Sequence, residues 1–443
     1  MNWVPYISIF LFLVSLIVFY NTKLRGKDIL ITTSIVLISF FSWQSALCVI
    51  VLTTITALLQ KSKSKAWIGI IIHLGCIISV YFLEEELTFF KFGLSYYAIQ
   101  NIGILLLSIR HKPQEYHFID LLFANAFFAK FISGPILLPK EINALKYTSK
   151  FNPKNFTSGI NRILFGIFKK IVLADNLHII TSTVFGDTEI EFKGITIFFA
   201  SILFTIEMYL NFSAYTDIAL GVAKLFNVTL KENFKVPLRS SSVSEYWKKT
   251  HISLIEWLTQ NFFYPISFQL RKHPVYGIVI GILTTFVLSG LWHGIYTGFL
   301  IWGILNGLYL STEYLGKKTG IKLPKPIGWL CTILCISFSN LFFVSKTWKN
   351  SLNFMEQVCT IESWDFEWET NVFAVLGNGW YLEQQFQLGM ILTLVFIFLV
   401  LENRLEKMAK SSNLSIGFTT VLTLLCFLIG NLNDGAEFIY MQF

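Results

Sequence analysis

Charge is what this sequence most lacks. Only 14% of its residues are Asp, Glu, Lys or Arg, where a soluble domain carries about 25%. Long stretches are free of it: Ile7 to Tyr20 holds no charged residue, and neither does Val275 to Trp292. A helix needs about 20 such residues to cross a hydrocarbon core. The shortage therefore excludes a soluble globular fold and predicts an all-α integral membrane protein. Cysteine is scarce too. Cys48, Cys76, Cys331, Cys335 and Cys426 lie in apolar stretches, where a thiol behaves as a small hydrophobe, and Cys359 stands alone in a polar loop. That pattern excludes a zinc centre or a disulfide framework. The first apolar run has no basic residues before it and no small-residue cleavage site after it, so it reads as a retained helix and not a signal peptide. No fixed-period repeat, low-complexity tract, Gly-rich phosphate loop, paired metal-ligand histidines or serine-nucleophile motif is present.

The charges that remain are sorted along the chain. Basic residues cluster at Lys23 to Lys27, Lys61 to Lys65, Arg110 and Lys112, Lys140 to Lys154, Lys231 to Lys249, Lys317 to Lys325 and Arg404 to Lys410. Acidic residues collect between them, at Glu84 to Glu86, Asp187 to Glu191, Glu356 to Glu383, and Asp434 with Glu437. Alternation of this kind is the positive-inside pattern, with basic loops in the cytoplasm. It predicts a multi-pass protein of the plasma (inner) membrane with both termini outside. The net charge of +8 does not point to nucleic acid, because no soluble face is long enough to gather those cations.

The chain reads as one polytopic domain over residues 1–443 with roughly eleven or twelve membrane segments. The clearest are 3–20, 28–42, 44–60, 66–83, 93–110, 195–224, 275–292, 296–314, 326–344, 385–402 and 415–431. Residues 155–186 supply another, its first half held near the inner surface by Arg162, Lys169 and Lys170. Residues 117–138 and 240–272 each begin and end beside basic loops, so both are expected to be re-entrant or interfacial, packed on protein or lining a cavity. The loop at about 345–384 is expected outside, its aromatics serving as interfacial anchors.

Ionisable groups in hydrocarbon are expensive unless paired, which makes them the next candidates. His293 ends the run Leu288-Ser289-Gly290-Leu291-Trp292-His293-Gly294, and His251 lies in the re-entrant stretch Trp247-Lys248-Lys249-Thr250-His251. Glu207 and Asp217 share one long helix, about 18 Å and about 33 Å from Ile195 at 1.5 Å per residue. Glu207 thus falls near the midplane and Asp217 at the inner interface. His73 reads as a packing histidine satisfied by a neighbouring carbonyl. His293 has two readings of equal weight from chemistry alone. It either satisfies carbonyls at a helix end or, as a neutral imidazole, takes a hydroxyl proton.

An ordered set of motifs decides between them. Asn233-Phe234 to Pro237, Ser244-Glu245-Tyr246-Trp247 to His251-Ile252-Ser253-Leu254, Phe263-Tyr264-Pro265, the Trp292-His293-Gly294 run and Trp302-Gly303 to Asn306-Gly307 come in a fixed order. Gly93-Leu94-Ser95-Tyr96-Tyr97, Ser133-Gly134-Pro135, Tyr215-Thr216-Asp217 and Phe438 to Phe443 accompany them. Together they resemble the membrane-bound O-acyltransferase family, in its bacterial alginate O-acetylation and D-alanyl transfer branch, over about residues 90–310 and the extreme C-terminus. The resemblance implies a funnel-shaped helical bundle in which His293 is the catalytic residue and His251 a second important one on the cytoplasmic side. Asp217, Tyr215, Trp292, Glu207 and Asn306 become candidate supporting residues. The family's usual Trp before the upstream histidine is Thr250 here, its arginines are Lys248 and Lys249, and its following Arg-Asp pair is Thr259 and Gln260. Its usual Asp, Gly and Gln around the Tyr-Thr-Asp motif are Asn211, Ala214 and Glu207.

Three functions follow as expectations. The first is acetyl transfer from acetyl-CoA, a substrate and not a bound cofactor, to a polysaccharide or surface glycan, through a secreted acyltransferase partner. The second is D-alanyl transfer to teichoic acids from a carrier protein. The third is a non-catalytic transporter or scaffold. No metal is expected, and membrane lipid is the solvent.

Overall fold

The computed structural model describes residues 4–22, 26–82, 93–110, 115–143, 145, 148–186, 192, 194–345, 347–360, 381–413 and 416–431. The acidic clusters at 84–86 and 187–191, most of the 345–384 loop and the motif at 438–443 lie outside the described residues.

Among the described residues every regular element is a helix. The first five are α1 (Val4–Asn21), α2 (Gly26–Phe41), α3 (Trp43–Leu59), α4 (Lys63–Phe82) and α5 (Leu94–Arg110). After α6 (Phe118–Ala126) come α7 (Pro153–Ile167), a π-helical stretch at Phe168–Ala174, α8 (Asp175–Phe185) and α9 (Gly194–Leu225). The short helices α10 (Val243–Lys249), α11 (Ile252–Leu258) and α12 (Tyr264–Gln269) precede α13 (Pro274–His293), α14 (Thr297–Lys318) and α15 (Lys325–Ser345). Last are α16 (Trp348–Cys359), α17 (Tyr381–Lys410) and α18 (Ile416–Ile429). The apolar segments read from the sequence thus recur as helices in the same places.

Among the described residues, four helices are long and apolar enough to cross a membrane: α9, α13, α15 and the Leu388–Lys410 part of α17. Ile7–Asn21, α3 and α18 are equally apolar but shorter. Their outer faces carry large hydrophobics, with Phe427 84% and Phe396 67% exposed, which only a lipid surround makes tolerable. The chain is an all-α, multi-pass membrane protein.

Helix α9 is the common wall. Its C-terminal half (Leu220, Ala223, Leu225) joins the core made with α1, α2, α3 and α6, while Tyr209, Leu210 and Phe212 join the core made with α13, α14, α15 and α17. Against it lies α7, opened by Asn152, whose Oδ1 accepts the Lys154 N–H at 3.1 Å ahead of Pro153 as first helical residue. The two helices touch backbone to backbone: a Cβ on Gly221 would meet the Gly159 carbonyl at 2.7 Å.

That close approach buries two of the cations: Arg162 and Lys169 are 3% and 2% exposed. Arg162 Nε donates to Asp217 Oδ1 at 2.6 Å and its Nη atoms to both Glu232 oxygens at 2.6 Å. Lys169 Nζ sits 2.5 Å from Asp217 Oδ2, and buried Lys170 pairs with Asp175. Each of these cations is paired with a carboxylate inside the protein.

Neither segment expected to be re-entrant forms one continuous helix. Residues 240–272 break into α10, α11, a π-helical stretch at Thr259–Phe263 and α12. A seven-residue helix spans only about 10 Å. The break at Thr250–His251 is stitched by Asn233: its backbone carbonyl accepts the Ile252 N–H at 3.0 Å, and its Oδ1 accepts the Ser253 N–H at 3.0 Å. Residues 127–138 leave α6 without regular structure, and side chains satisfy their backbone. Ser34 Oγ accepts the Phe128 N–H, Gln100 Oε1 the Leu137 N–H, and Ser253 Oγ the Ile136 N–H. Non-helical backbone at membrane depth persists only with partners of this kind.

Candidate functional site

His293 is the last residue of α13, followed by Gly294 at φ 157°, where the chain turns into α14. Close packing of the two helices fixes its position. A Cβ on Gly290 would meet the Phe299 carbonyl at 2.3 Å, and one on Gly303 would meet the Phe286 carbonyl at 2.4 Å. Only glycine at these positions allows that approach. The His293 ring, 3% exposed, is then boxed by aromatics: Trp302 perpendicular at 5.2 Å, Phe343 at 5.1 Å and Trp292 at 4.9 Å between centroids.

His251 arrives from the other direction, at the break before α11. Its backbone is left-handed, φ 43° and ψ 48°, a conformation uncommon for a non-glycine residue and concentrated at functional sites. Its ring lies parallel to Tyr96 at 6.1 Å and edge-on to Phe212 at 4.7 Å. Trp292 stands 6.1 Å from it and so borders both histidines.

The two imidazoles line one narrow cavity of about 40 Å³. Its walls include Tyr209, Phe212, Trp247, Trp302 and Phe343, with Ser289 and Asn340 as polar points, and no acidic residue is among its described lining. Buried amides brace the tryptophans. Trp302 Nε1 donates to Asn340 Oδ1 at 3.0 Å, and Asn340 Nδ2 to Thr205 Oγ1 at 3.0 Å. A narrow chamber with a largely aromatic lining and two imidazoles suits proton transfer at a small uncharged group.

The candidate residues fall into three places. His251 and His293 line the cavity and Trp292 lies between them; Asn306 stands one layer back. Tyr215 instead lines a separate apolar cleft of about 510 Å³ with α1 and α2, and its hydroxyl oxygen accepts the Ser133 N–H at 3.2 Å. Asp217 belongs to the Arg162 and Lys169 ion pairs. Glu207 faces α8, where its Oε1 is 2.9 Å from His178 Nδ1 and its Oε2 accepts the Thr181 hydroxyl at 2.5 Å. His73, as expected, contacts the Gly69 carbonyl at 2.7 Å. Sequence reading passed over Asn340, Tyr209 and Phe212. The signal for Asn340 was available, since Ser337, Ser339 and Asn340 interrupt an otherwise apolar helix.

The family model for MBOAT, the membrane-bound O-acyltransferase family, matches residues 73–345, which contain both histidines. Among curated proteins, the peptidoglycan O-acetyltransferase of Helicobacter pylori is 26% identical over 54% of this chain and 46% of its own length. The probable alginate O-acetylase of Pseudomonas aeruginosa is 25% identical over 61% of this chain and 52% of its own. The teichoic acid D-alanyltransferase of Bacillus subtilis is 24% identical over 45% and 53%. The chain thus aligns over about half the length of these relatives.

Proposed function

Because the chain belongs to the membrane-bound O-acyltransferase family, we propose that it transfers an acetyl group from a cytoplasmic thioester, acetyl-CoA, to a hydroxyl of an exported or cell-surface polysaccharide. The observation that carries this reading is the shared cavity of His251 and His293. His293 accepts the acceptor's hydroxyl proton as the oxygen attacks the thioester carbonyl. The new C–O bond forms, the C–S bond breaks, and the proton passes from His293 to the departing thiolate. Acyl thioester and alcohol become ester and thiol with no other reactant. The aromatic walls exclude the water that would otherwise hydrolyse the thioester. His251 positions the donor.

The cavity's lining favours acetyl over D-alanyl. A D-alanyl group carries an ammonium, and among the described residues no carboxylate lines the chamber to receive it. A passage for solutes would require a polar path, whereas this lining is aromatic. The whole chain acts as one polytopic domain of the plasma membrane, basic loops in the cytoplasm and both termini outside, with lipid on its apolar faces.

The test is ester-linked acetyl on the surface glycan of cells carrying His293→Ala at matched protein level. General-base catalysis is worth about 10²–10⁴-fold, so acetylation should fall by at least about 10². Unchanged acetylation would remove this reading and leave the transporter or scaffold alternative standing.

A further inference from the structure

Glu402 lies on α17, beyond the residues that the family model covers, and is 1% exposed within the Leu388–Lys410 span. One of its oxygens, Oε1, accepts the Tyr209 hydroxyl; the other, Oε2, is buried without a hydrogen-bond partner among the described residues. A carboxyl group inside a membrane helix is expensive, and a half-satisfied one more so. Such a residue marks a functional position by default, with its partner as the guide to what it does.

The partner here leads directly to the chemistry. Tyr209 lines the histidine cavity with its ring and reaches α17 with its hydroxyl. Its ring packs 5.7 Å from Phe234, which packs 5.0 Å from Phe212, which in turn stands edge-on to His251 at 4.7 Å. The turn of α17 just before Glu402 is also fixed, because Arg239 Nη2 donates to the Leu399 and Val400 carbonyls at 2.6 Å. A displaced Tyr209 would therefore move both the cavity wall and the ring stack behind His251.

We propose that Glu402 is a positioning residue for acyl transfer, holding Tyr209 as a wall of the cavity that contains His251 and His293. The proposal rests on the acyl-transfer reading of that cavity. It brings α17 into the reaction.

The experiment uses membranes bearing the full chain and their own acceptor, given radiolabelled acetyl-CoA, with base-labile label in polymer as readout. Misplacement of a reacting geometry by about 1 Å costs about 10²-fold. Glu402→Ala and Tyr209→Phe should each lower kcat by about ten- to a hundredfold, with KM for acetyl-CoA within about twofold of the parent. Because both act through one hydrogen bond, the double variant should be no worse than the worse single. Glu402→Gln, whose amide oxygen still accepts the phenol, should recover most of the rate. Multiplying losses in the double variant, or full rate per folded molecule with only a lower melting temperature, would overturn the proposal and reduce Glu402 to a tie between helices. His293→Ala in parallel separates the two ideas: full labelling there sinks the reading of the cavity, whereas its loss alongside an intact Glu402→Ala sinks only this inference.

Discussion

The Trp247 indole N–H donates to Asn306 Oδ1 at 3.1 Å, joining α10 to α14 behind the histidine cavity. Asn306 is wholly buried, and its Nδ2 donates to the Trp302 carbonyl at 2.8 Å and to Ser339 Oγ at 3.1 Å. One amide thus braces the tryptophan that lies perpendicular to His293 and the one that packs upon it. Asn306→Ala leaves the Trp247 N–H buried and unmet, at a cost of about 1–3 kcal/mol. The variant should melt earlier in detergent, and its transfer at matched protein level should fall. Transfer at the parent rate would show that Asn306 does not shape the cavity.

A second prediction separates folding from chemistry. Asp217 answers two buried cations, Arg162 at 2.6 Å and Lys169 at 2.5 Å. Removing one partner of a buried ion pair costs about 3–5 kcal/mol, because the remaining charge is left without compensation. Asp217→Ala should therefore deplete folded protein in the membrane, whereas His293→Ala should not. Normal levels of Asp217→Ala with normal melting would contradict the role given to this cluster.

The same cluster predicts a dependence on pH. Burial alone would raise the Glu232 carboxyl, but the bidentate Arg162 guanidinium, with Lys410 3.5 Å away, holds it below its ordinary value of 4.5. A depressed carboxylate contributes stability that is fully present above 4.5 and is lost as the pH falls through the lower folded value. The melting difference between the parent and Glu232→Gln should be largest near neutral pH and should shrink on acidification below 4.5. A constant difference across that range would assign it to packing.

What the sequence made legible follows from where charge is rare. His251 and His293 stand out because imidazole is conspicuous in apolar runs, and 240–272 announces its broken path through basic loops at both ends. Pairings across long sequence separation leave no such trace. That Arg162 and Lys169 share Asp217 emerges only when the fold brings two helices together. Tyr209 and Glu402 are ordinary members of separate helices until the fold joins them. Glu207 similarly reads as a midplane acid near the chemistry, yet the helix rotates it towards His178 and Thr181.

Orientation has a direct test in a native thiol. Cys359 ends α16, is exposed, and lies within the 345–384 loop expected outside. A membrane-impermeant maleimide should label it in intact cells. Cysteines placed at Ser62 and Lys322, in the basic loops, should label only after permeabilisation. The opposite pattern would invert the topology and put the donor on the wrong side.

The left-handed backbone of His251 allows its side chain to be tested apart from its conformation. At φ 43° and ψ 48° a residue with a Cβ pays a penalty that glycine does not. His251→Ala removes the imidazole and keeps that penalty; His251→Gly removes the imidazole and relieves it. The glycine variant should therefore be more stable than the alanine variant by about 1 kcal/mol, less whatever entropy the freer chain gains on unfolding. If the imidazole positions the donor, both variants should show the same raised KM for acetyl-CoA, whatever their difference in melting. If instead transfer recovers in His251→Gly together with stability, the residue serves the turn between α10 and α11 and not the donor. Donor positioning would then fall to other residues, with Thr250 and Ser253 on either side of the break as the next to replace.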